Sequence, residues 1–471
     1  MKNQIIFLFI FFCSAIQAQS LVLSELENIN PTEEGNYRPR ICLVEGEPLV
    51  LFTENSEDMK IFIQKKKQGQ WLGEQRISPD SIDFQVGSRL GPAISSLGEI
   101  VYVAYIVESS PRKIAFQKSI DGGLTFSSFE SAYDLGENHA EGIDLMVLPD
   151  GNPVIAFIHY GPQWSNAAQV VIRSYDQGTS FTDLISIDNS PCECCTPSLV
   201  GGNGAFYGVS YRDNTSDLRV FKTRISSIND ADFSTPVLTD PTAWELAVCP
   251  ASSSDGYLIG DTLYNTWMSS PFGVSQVYMS KTNIFGDEIL EWSEVDYSDS
   301  YGSQNHPQMV GDDLIQVLAW EEYRETKKDI FGMIFQNGLS QSSFSLTQGD
   351  VLSHKEGVDL AYDANSGIYH MVYRNMSQSS VIYRSIESSL LDIDSPFSEP
   401  TFLYPNPTQN NLYFHSNIEK VLNYKIYNYL GITVQNGTSS GNISIQYLSP
   451  GNYLIELIGL SFNHRFSFVK V

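Results

Sequence analysis

Ser119-Ile-Asp-Gly-Gly-Leu-Thr-Phe126 returns 55 residues later as Ser174-Tyr-Asp-Gln-Gly-Thr-Ser-Phe181. Both stretches follow Ser-x-Asp-x-Gly-x-x-aromatic, a pattern that describes a tight turn between two strands. Ser119 and Ser174 open the turn, Asp121 and Asp176 accept backbone N–H groups across it, and Gly123 and Gly178 supply positive φ. Phe126 and Phe181 stand where the chain re-enters an apolar layer. A turn that recurs at a fixed interval marks a repeated unit.

Outward from these turns the repeat is visible along most of the chain. A small or polar residue, often Pro, opens a short apolar strand at Pro39-Arg-Ile, Pro92-Ala-Ile, Ile143-Asp-Leu, Pro197-Ser-Leu, Pro250, Pro307-Gln-Met and Val358-Asp-Leu, with spacings of 53, 51, 54, 53, 57 and 51. A second apolar strand follows each opener, from Leu49–Phe52 and Ile100–Ala104 through to Tyr369–Tyr373. A third is clear at Lys113–Gln117, Gln169–Arg173 and Val381–Arg384. Three or four strands per repeat, without helices, predict an all-β chain folded as a β-propeller. The seventh copy ends before a fourth strand, and Leu21–Leu26 is free to supply it. That closure predicts seven blades; six is the alternative.

The two turns resemble the Asp-box of sialidase-like (BNR-repeat) propellers. The resemblance implies that Ser119, Asp121, Gly123, Phe126, Ser174, Asp176, Gly178 and Phe181 are structural and lie opposite the ligand-binding face.

Both ends of the chain read differently from the middle. Residues 1–18 combine Lys2, the apolar run Ile5–Phe12 and Ala15-Ile-Gln-Ala18, the pattern of a secretory signal peptide. Residues 19–396 form the propeller region. Residues 397–471 have four basic and three acidic side chains, whereas the whole chain sets 28 Lys and Arg against 55 Asp and Glu, a net charge of −27. The tail is therefore a separate module, and its alternating strands predict a small β-sandwich. Leu403-Tyr-Pro-Asn-Pro407, Ile426-Tyr-Asn-Tyr-Leu-Gly431, Leu448–Ile455 and Phe468-Val-Lys-Val471 resemble the C-terminal sorting domain of the type IX secretion system of Bacteroidetes. The resemblance implies export by Sec, recognition by the type IX machinery, and delivery to the cell surface or exterior. So acidic a chain repels nucleic-acid phosphate, and no transmembrane segment is expected. A closed propeller is expected to be a monomer.

In a propeller, the loops entering the first strand and leaving the second open on one face. The repeat alignment sends ionisable side chains from every copy to that mouth. The substrate-binding candidates are Arg38, Arg40, Arg89, Arg212, Asp213, His306 and Arg374; the catalytic candidates are Glu141, Glu321, Glu356 and Tyr373. Tyr37-Arg-Pro-Arg40 is similar to the sialidase motif carrying the first arginine of a carboxylate-binding triad, departing from it at Pro39 and Arg40. By that resemblance Arg212 and Arg374, with Tyr373 beside the latter, complete the triad. No nucleophile pair is evident. The expectation is a sialidase-like propeller that binds, and as an exo-sialidase-like glycoside hydrolase cleaves, a glycan or surface glycoprotein. A non-catalytic binding propeller is the alternative.

Cys192, Cys194, Cys195 and Cys249 fall in neighbouring mouth loops. In an oxidising compartment they are expected to form two disulfides, whose pairing the sequence leaves open among three connectivities. The competing reading is a metal-dependent function at a Cys₄ or Cys₃His site for zinc or copper. Cys42 reads as a buried free thiol. No cofactor is expected.

Overall fold

The computed structural model describes residues 20–471 except 31–35, 55–58, 81, 202–203, 287, 297–301, 313–314, 325, 337–338, 341–342, 351–353, 390–402, 405–407, 415–421, 429–431 and 459–462. The signal-peptide segment, residues 1–18, lies outside these. The chain divides into a large unit, residues 21–388, and a second unit that contains the tail from residue 389.

Apolar runs such as Leu49–Phe52 are buried on both faces, so each side of the pleat needs its own partner. Leu49 and Leu51 point toward Val101, Val103 and Tyr105 of the following sheet. Val50 and Phe52, one residue out of phase, point toward Val372, Val381 and Tyr383 of the last sheet. One strand thereby packs two neighbours, and repetition of that arrangement bends the row into a ring.

The result is a β-propeller of seven four- or five-stranded antiparallel blades. Their first strands are Asn36–Val44, Ala93–Leu97, His139–Val147, Ser198–Gly201, Asp255–Ile259, Ser303–Gly311 and Lys355–Asp363, blades one to seven. Each first strand contacts the next around the circle, and that of blade seven contacts blade one. Blade five begins at Asp255 rather than directly behind Pro250, because Ala251 takes a left-handed φ of 53° and delays the ladder.

Ser20–Leu23 and Glu27–Asn30 both pair with Ser380–Ser389, the third strand of blade seven, and supply its outer edge. Glu27 then reaches across to blade one, where it accepts from Lys66 Nζ at 2.6 Å and Trp71 Nε1 at 2.7 Å. Termini joined in this way remove the exposed edge.

The turns at 119–126 and 174–181 link strand three to strand four and clamp adjacent blades. Asp121 Oδ1 accepts the N–H groups of Leu124 and Thr125 at 3.1 and 2.9 Å, and Asp176 Oδ1 accepts that of Ser180 at 2.8 Å. Donation from Thr125 and its backbone holds the Asp121 carboxyl at about 2. A Cβ at Gly178, where φ is +86°, would stand 2.7 Å from Phe116 of blade two. Phe181 meets that Phe116 ring edge-on at 5.0 Å.

The tail unit pairs the strands Leu403–Tyr404, Asn411–Phe414 and Asn442–Ser444 in one sheet. Thr433–Ser439, Leu422–Asn428, Gly451–Ile458 and Asn463–Lys470 form the other. Leu412, Ile426, Ile443, Ile445, Ile455 and Phe468 fill the sandwich between them. Among the described residues no helix is long and apolar enough to cross a membrane.

Candidate functional site

The first strands converge on the propeller axis, and their openings form a small pocket to which every blade contributes. Arg38, Arg40, Arg89, Asp144, Asp255, His306, Glu321 and Asp359 supply its charged and titratable lining; Ser88, Ser198, Ser253, Ser254 and Gln308 add hydroxyl and amide groups.

Three aspartates set the frame. Asp359 accepts the N–H of Ile41, Asp144 that of Leu199, and Asp255 that of Met309, each at 2.8 Å. In each case a carboxylate on one blade's first strand holds the first strand of the next. Arg40 lies among them, with Nε 3.1 Å from Asp359 and Nη2 3.4 Å from Asp144. Burial opposes its charge, but Asp359 and Asp144 outweigh that and hold its pKa above the ordinary value. Arg40 is thus paired within the protein.

Arg38 differs: among the described residues its Nη1 is buried without a hydrogen-bond partner. Burial and the neighbouring charge of Arg40 bring its pKa down to about 10, against the opposing pull of Asp144 and Asp359, so it stays cationic at neutral pH. Its backbone carries a φ of 41°, and His306 carries one of 49°. Both sit at bulges in a first strand, between Tyr37 and Arg40 and between Asn305 and Gln308. Gly142 and Gly357 occupy the matching bulges of blades three and seven with φ of 61° and 64°. The bulge is a feature of the repeat, and at blades one and six it places an ionisable side chain in a conformation that favours glycine. Burial holds the His306 pKa below its ordinary value, so the ring is neutral at pH 7, with Glu321 opposing.

Burial pushes the Asp255 carboxyl up to about 7; Met309 N–H opposes that shift, and Asp359 and Asp144 add to it. The pocket therefore sets three arginines, Arg38, Arg40 and Arg89, against the carboxyl groups of Asp144, Asp359, Glu321 and Asp255, the last about half ionised at neutral pH. Arg89 Nη1 donates to Cys194 O at 3.2 Å.

Glu321 also lines the pocket; the remaining candidates lie off it. Arg374 donates to Glu356 at 2.7 Å in a buried pair and stacks on Tyr37 at 4.1 Å. Lys328 bridges Glu356 and Glu321 at 3.3 and 3.1 Å, and Glu321 also accepts Gly357 N–H at 2.7 Å. Tyr373 is buried in the blade core and donates to Asp350 at 3.1 Å. Arg212 is buried, donates to Met268 O at 2.7 Å and packs over Phe221. Asp213 pairs with Lys222 at 3.0 Å. The structure therefore does not gather Arg212 and Arg374 with Arg38; both turn into the walls of their own blades, each held by one acceptor and an aromatic ring, with Arg212 Nε and Nη1 and Arg374 Nε buried without a partner among the described residues. Glu141 stands on the blade-three rim, where burial raises its pKa, Arg89 opposes the shift, and Glu108 and Glu193 add to it.

The cysteines form one disulfide, not two. Cys194 and Cys249 are bonded across blades four and five with Cα atoms 6.4 Å apart. Cys192 and Cys195 remain buried thiols with sulfurs 3.3 Å apart, and Cys192 lies 3.5 Å from Cys249. Burial opposes ionisation of Cys195, but its hydrogen bond with Cys192 and the charge of Arg212 draw its pKa below the ordinary value. The sulfurs of Cys192, Cys195 and Cys249 are close enough for a soft ion. With Cys249 bonded to Cys194, two thiols remain, short of the Cys₄ set. Cys42 is a buried thiol pushed up to about 12 by burial.

Sequence reasoning missed Asp144, Asp255 and Asp359 as a set, and also Trp164. Two of the three had a signal: Ile143-Asp-Leu and Val358-Asp-Leu stand at equivalent repeat positions, whereas Asp255 lies five residues behind the opener Pro250.

Residues 402–463 match the family model of the secretion system C-terminal sorting domain. The chain therefore carries an export signal of the type IX system and is destined for the cell surface or the exterior. No curated protein matches the chain. Among solved structures, the chain is similar to a protein of unknown function from Dyadobacter fermentans at 14% identity, covering 78% of this chain and 99% of that one, TM-score 0.45. An ulvan lyase, a polysaccharide lyase, aligns at 12% identity over 75% of this chain and 94% of its own, TM-score 0.47. An α-L-arabinanase from Penicillium chrysogenum aligns at 12% identity over 64% and 93%, TM-score 0.41.

Proposed function

We propose that this exported propeller binds an anionic glycan in its axial pocket, the carboxylate or sulfate of one sugar meeting Arg38. The observation that carries the reading is the Arg38 guanidinium, whose buried Nη1 has no hydrogen-bond partner among the described residues while Arg40 beside it is paired with two carboxylates. A buried N–H donor left without an acceptor is costly unless a ligand supplies one. The surrounding hydroxyl and amide groups suit a polyhydroxylated ligand better than an apolar one.

Cleavage is the second reading, and Asp255 favours it. A carboxyl held at about 7 inside a ligand pocket is suited to proton transfer. Sialidase chemistry has less support, since Tyr373 is committed to Asp350 away from the pocket.

The test is a glycan array of sialosides, uronic-acid oligosaccharides, sulfated glycans and neutral glycans, followed by calorimetry and product mass spectrometry on whatever is retained. Arg38→Met should weaken binding by about a hundred-fold, the usual scale for removing one partner of a desolvated charge pair. Equal binding by wild type and variant would reject this placement of the anion.

A further inference from the structure

A single tryptophan stands at the mouth of blade three. The loop after strand Pro153–Gly161 carries left-handed backbone at Gln163, Trp164 and Asn166, with φ of 60°, 59° and 53°. None of these is glycine, so the loop accepts a backbone cost at three nearby positions. What that backbone presents is the indole of Trp164, 49% exposed. The His139 ring stacks against it at 4.3 Å with an interplanar angle of 21°, and Tyr160 braces it edge-on at 5.1 Å. An indole braced on one face and half exposed offers its other face to solvent.

The platform is tied to the pocket through two consecutive carbonyls. Tyr160 donates its hydroxyl to Glu193 O, and Arg89, which lines the pocket, donates to Cys194 O. Glu141 and Glu193 both act electrostatically on Tyr160, the ring that braces the indole. A rigid aromatic face beside carboxylate acceptors is the surface on which a sugar ring stacks its C–H face while its hydroxyls donate to the rim.

We propose that Trp164 is the stacking platform for a second sugar ring, so that the site takes an oligosaccharide of two or more units with its anionic unit on the axis. The proposal rests on the glycan reading above. It also fixes the ligand's direction, from Arg38 past Arg89 toward blade three.

The same array, probed with full-length wild type, Trp164→Ala, Trp164→Phe and Arg38→Met, separates the two ideas. Trp164→Ala should lose about ten-fold in affinity for the retained oligosaccharides and leave the corresponding acidic monosaccharide unaffected, with Trp164→Phe recovering most of the loss. Quenching of tryptophan fluorescence by the oligosaccharide should disappear in Trp164→Ala. If Arg38→Met abolishes binding while Trp164→Ala binds every chain length like wild type, the platform is refuted and the pocket stands. If wild type retains no glycan, or retains only apolar or peptide ligands, both proposals fall.

Discussion

Asp255 carries the titration that matters near neutral pH. Burial lifts its carboxyl to about 7, and the charges of Asp359 and Asp144 act in the same direction. Below that value it is protonated and adds no negative charge to the pocket; above it, the new charge faces the bound anion. The affinity for an anionic glycan should therefore fall by about ten-fold between pH 6 and pH 8, as expected for one like charge nearby in a partly screened site. His306, held neutral by burial, adds positive charge only on further acidification and so acts in the same sense. Calorimetry at pH 6, 7 and 8 on wild type and Asp255→Asn checks this, since the variant should bind with a nearly flat profile. A wild-type profile that rises with pH contradicts it. Folding has its own sign: a raised carboxyl keeps its proton in the folded state, so stability falls as pH climbs from the ordinary Asp range toward 7. Neither effect was legible in the sequence. The repeat spacing, which puts the blade-five opener at Pro250, says nothing about the burial of Asp255, and no local pattern reveals that Arg38 or His306 adopts positive φ.

The loop from Cys192 to Cys195 does more than its length suggests. Its carbonyls hold Arg89 and Tyr160, and the Cys194–Cys249 bond fixes it to blade five. Cys194→Ser opens a loop of 55 residues, and chain entropy puts the loss of stability at about 4 kcal/mol as an upper figure. Beyond stability, the Cys194 carbonyl that accepts from Arg89 is no longer anchored to blade five, so anion affinity should also drop by several-fold while the fold persists. Denaturant unfolding and calorimetry on the same variant read the two effects separately. Unchanged affinity in a destabilised protein would make the disulfide purely structural. The four cysteines could be placed together from the repeat register alone, because adjacent blades put adjacent openers side by side. Their pairing could not: Cys192, Cys194 and Cys195 lie within four residues, and backbone direction at each decides which sulfur reaches Cys249.

At the scale of the molecule, the ring is legible because the pleat requires it. A run such as Leu49–Phe52 must bury both faces, and seven openers at nearly equal spacing leave one place for the unmatched N-terminal strand. The structure completes that logic with a second segment, Glu27–Asn30, whose glutamate stitches blade seven to Lys66 and Trp71 of blade one. Without residues 20–30 the strand Ser380–Ser389 would become an open edge, with the buried residues Val381, Ile382 and Tyr383 newly exposed. An edge of that composition pairs with other chains. Deletion of residues 20–30 should lower the melting temperature by about 10 °C, given the few kcal/mol of packing lost, and add concentration-dependent association to whatever state the full chain has. Light scattering after size exclusion, with a scanning melt on the same sample, reads both. A synthetic peptide of residues 20–30 added in excess should reverse that association, because it refills the edge left open on Ser380–Ser389. Should the deleted chain associate no more than the full chain, with an unchanged melt, the ring would be held by its inner strands alone and the N-terminal strands would be a covering rather than a closure.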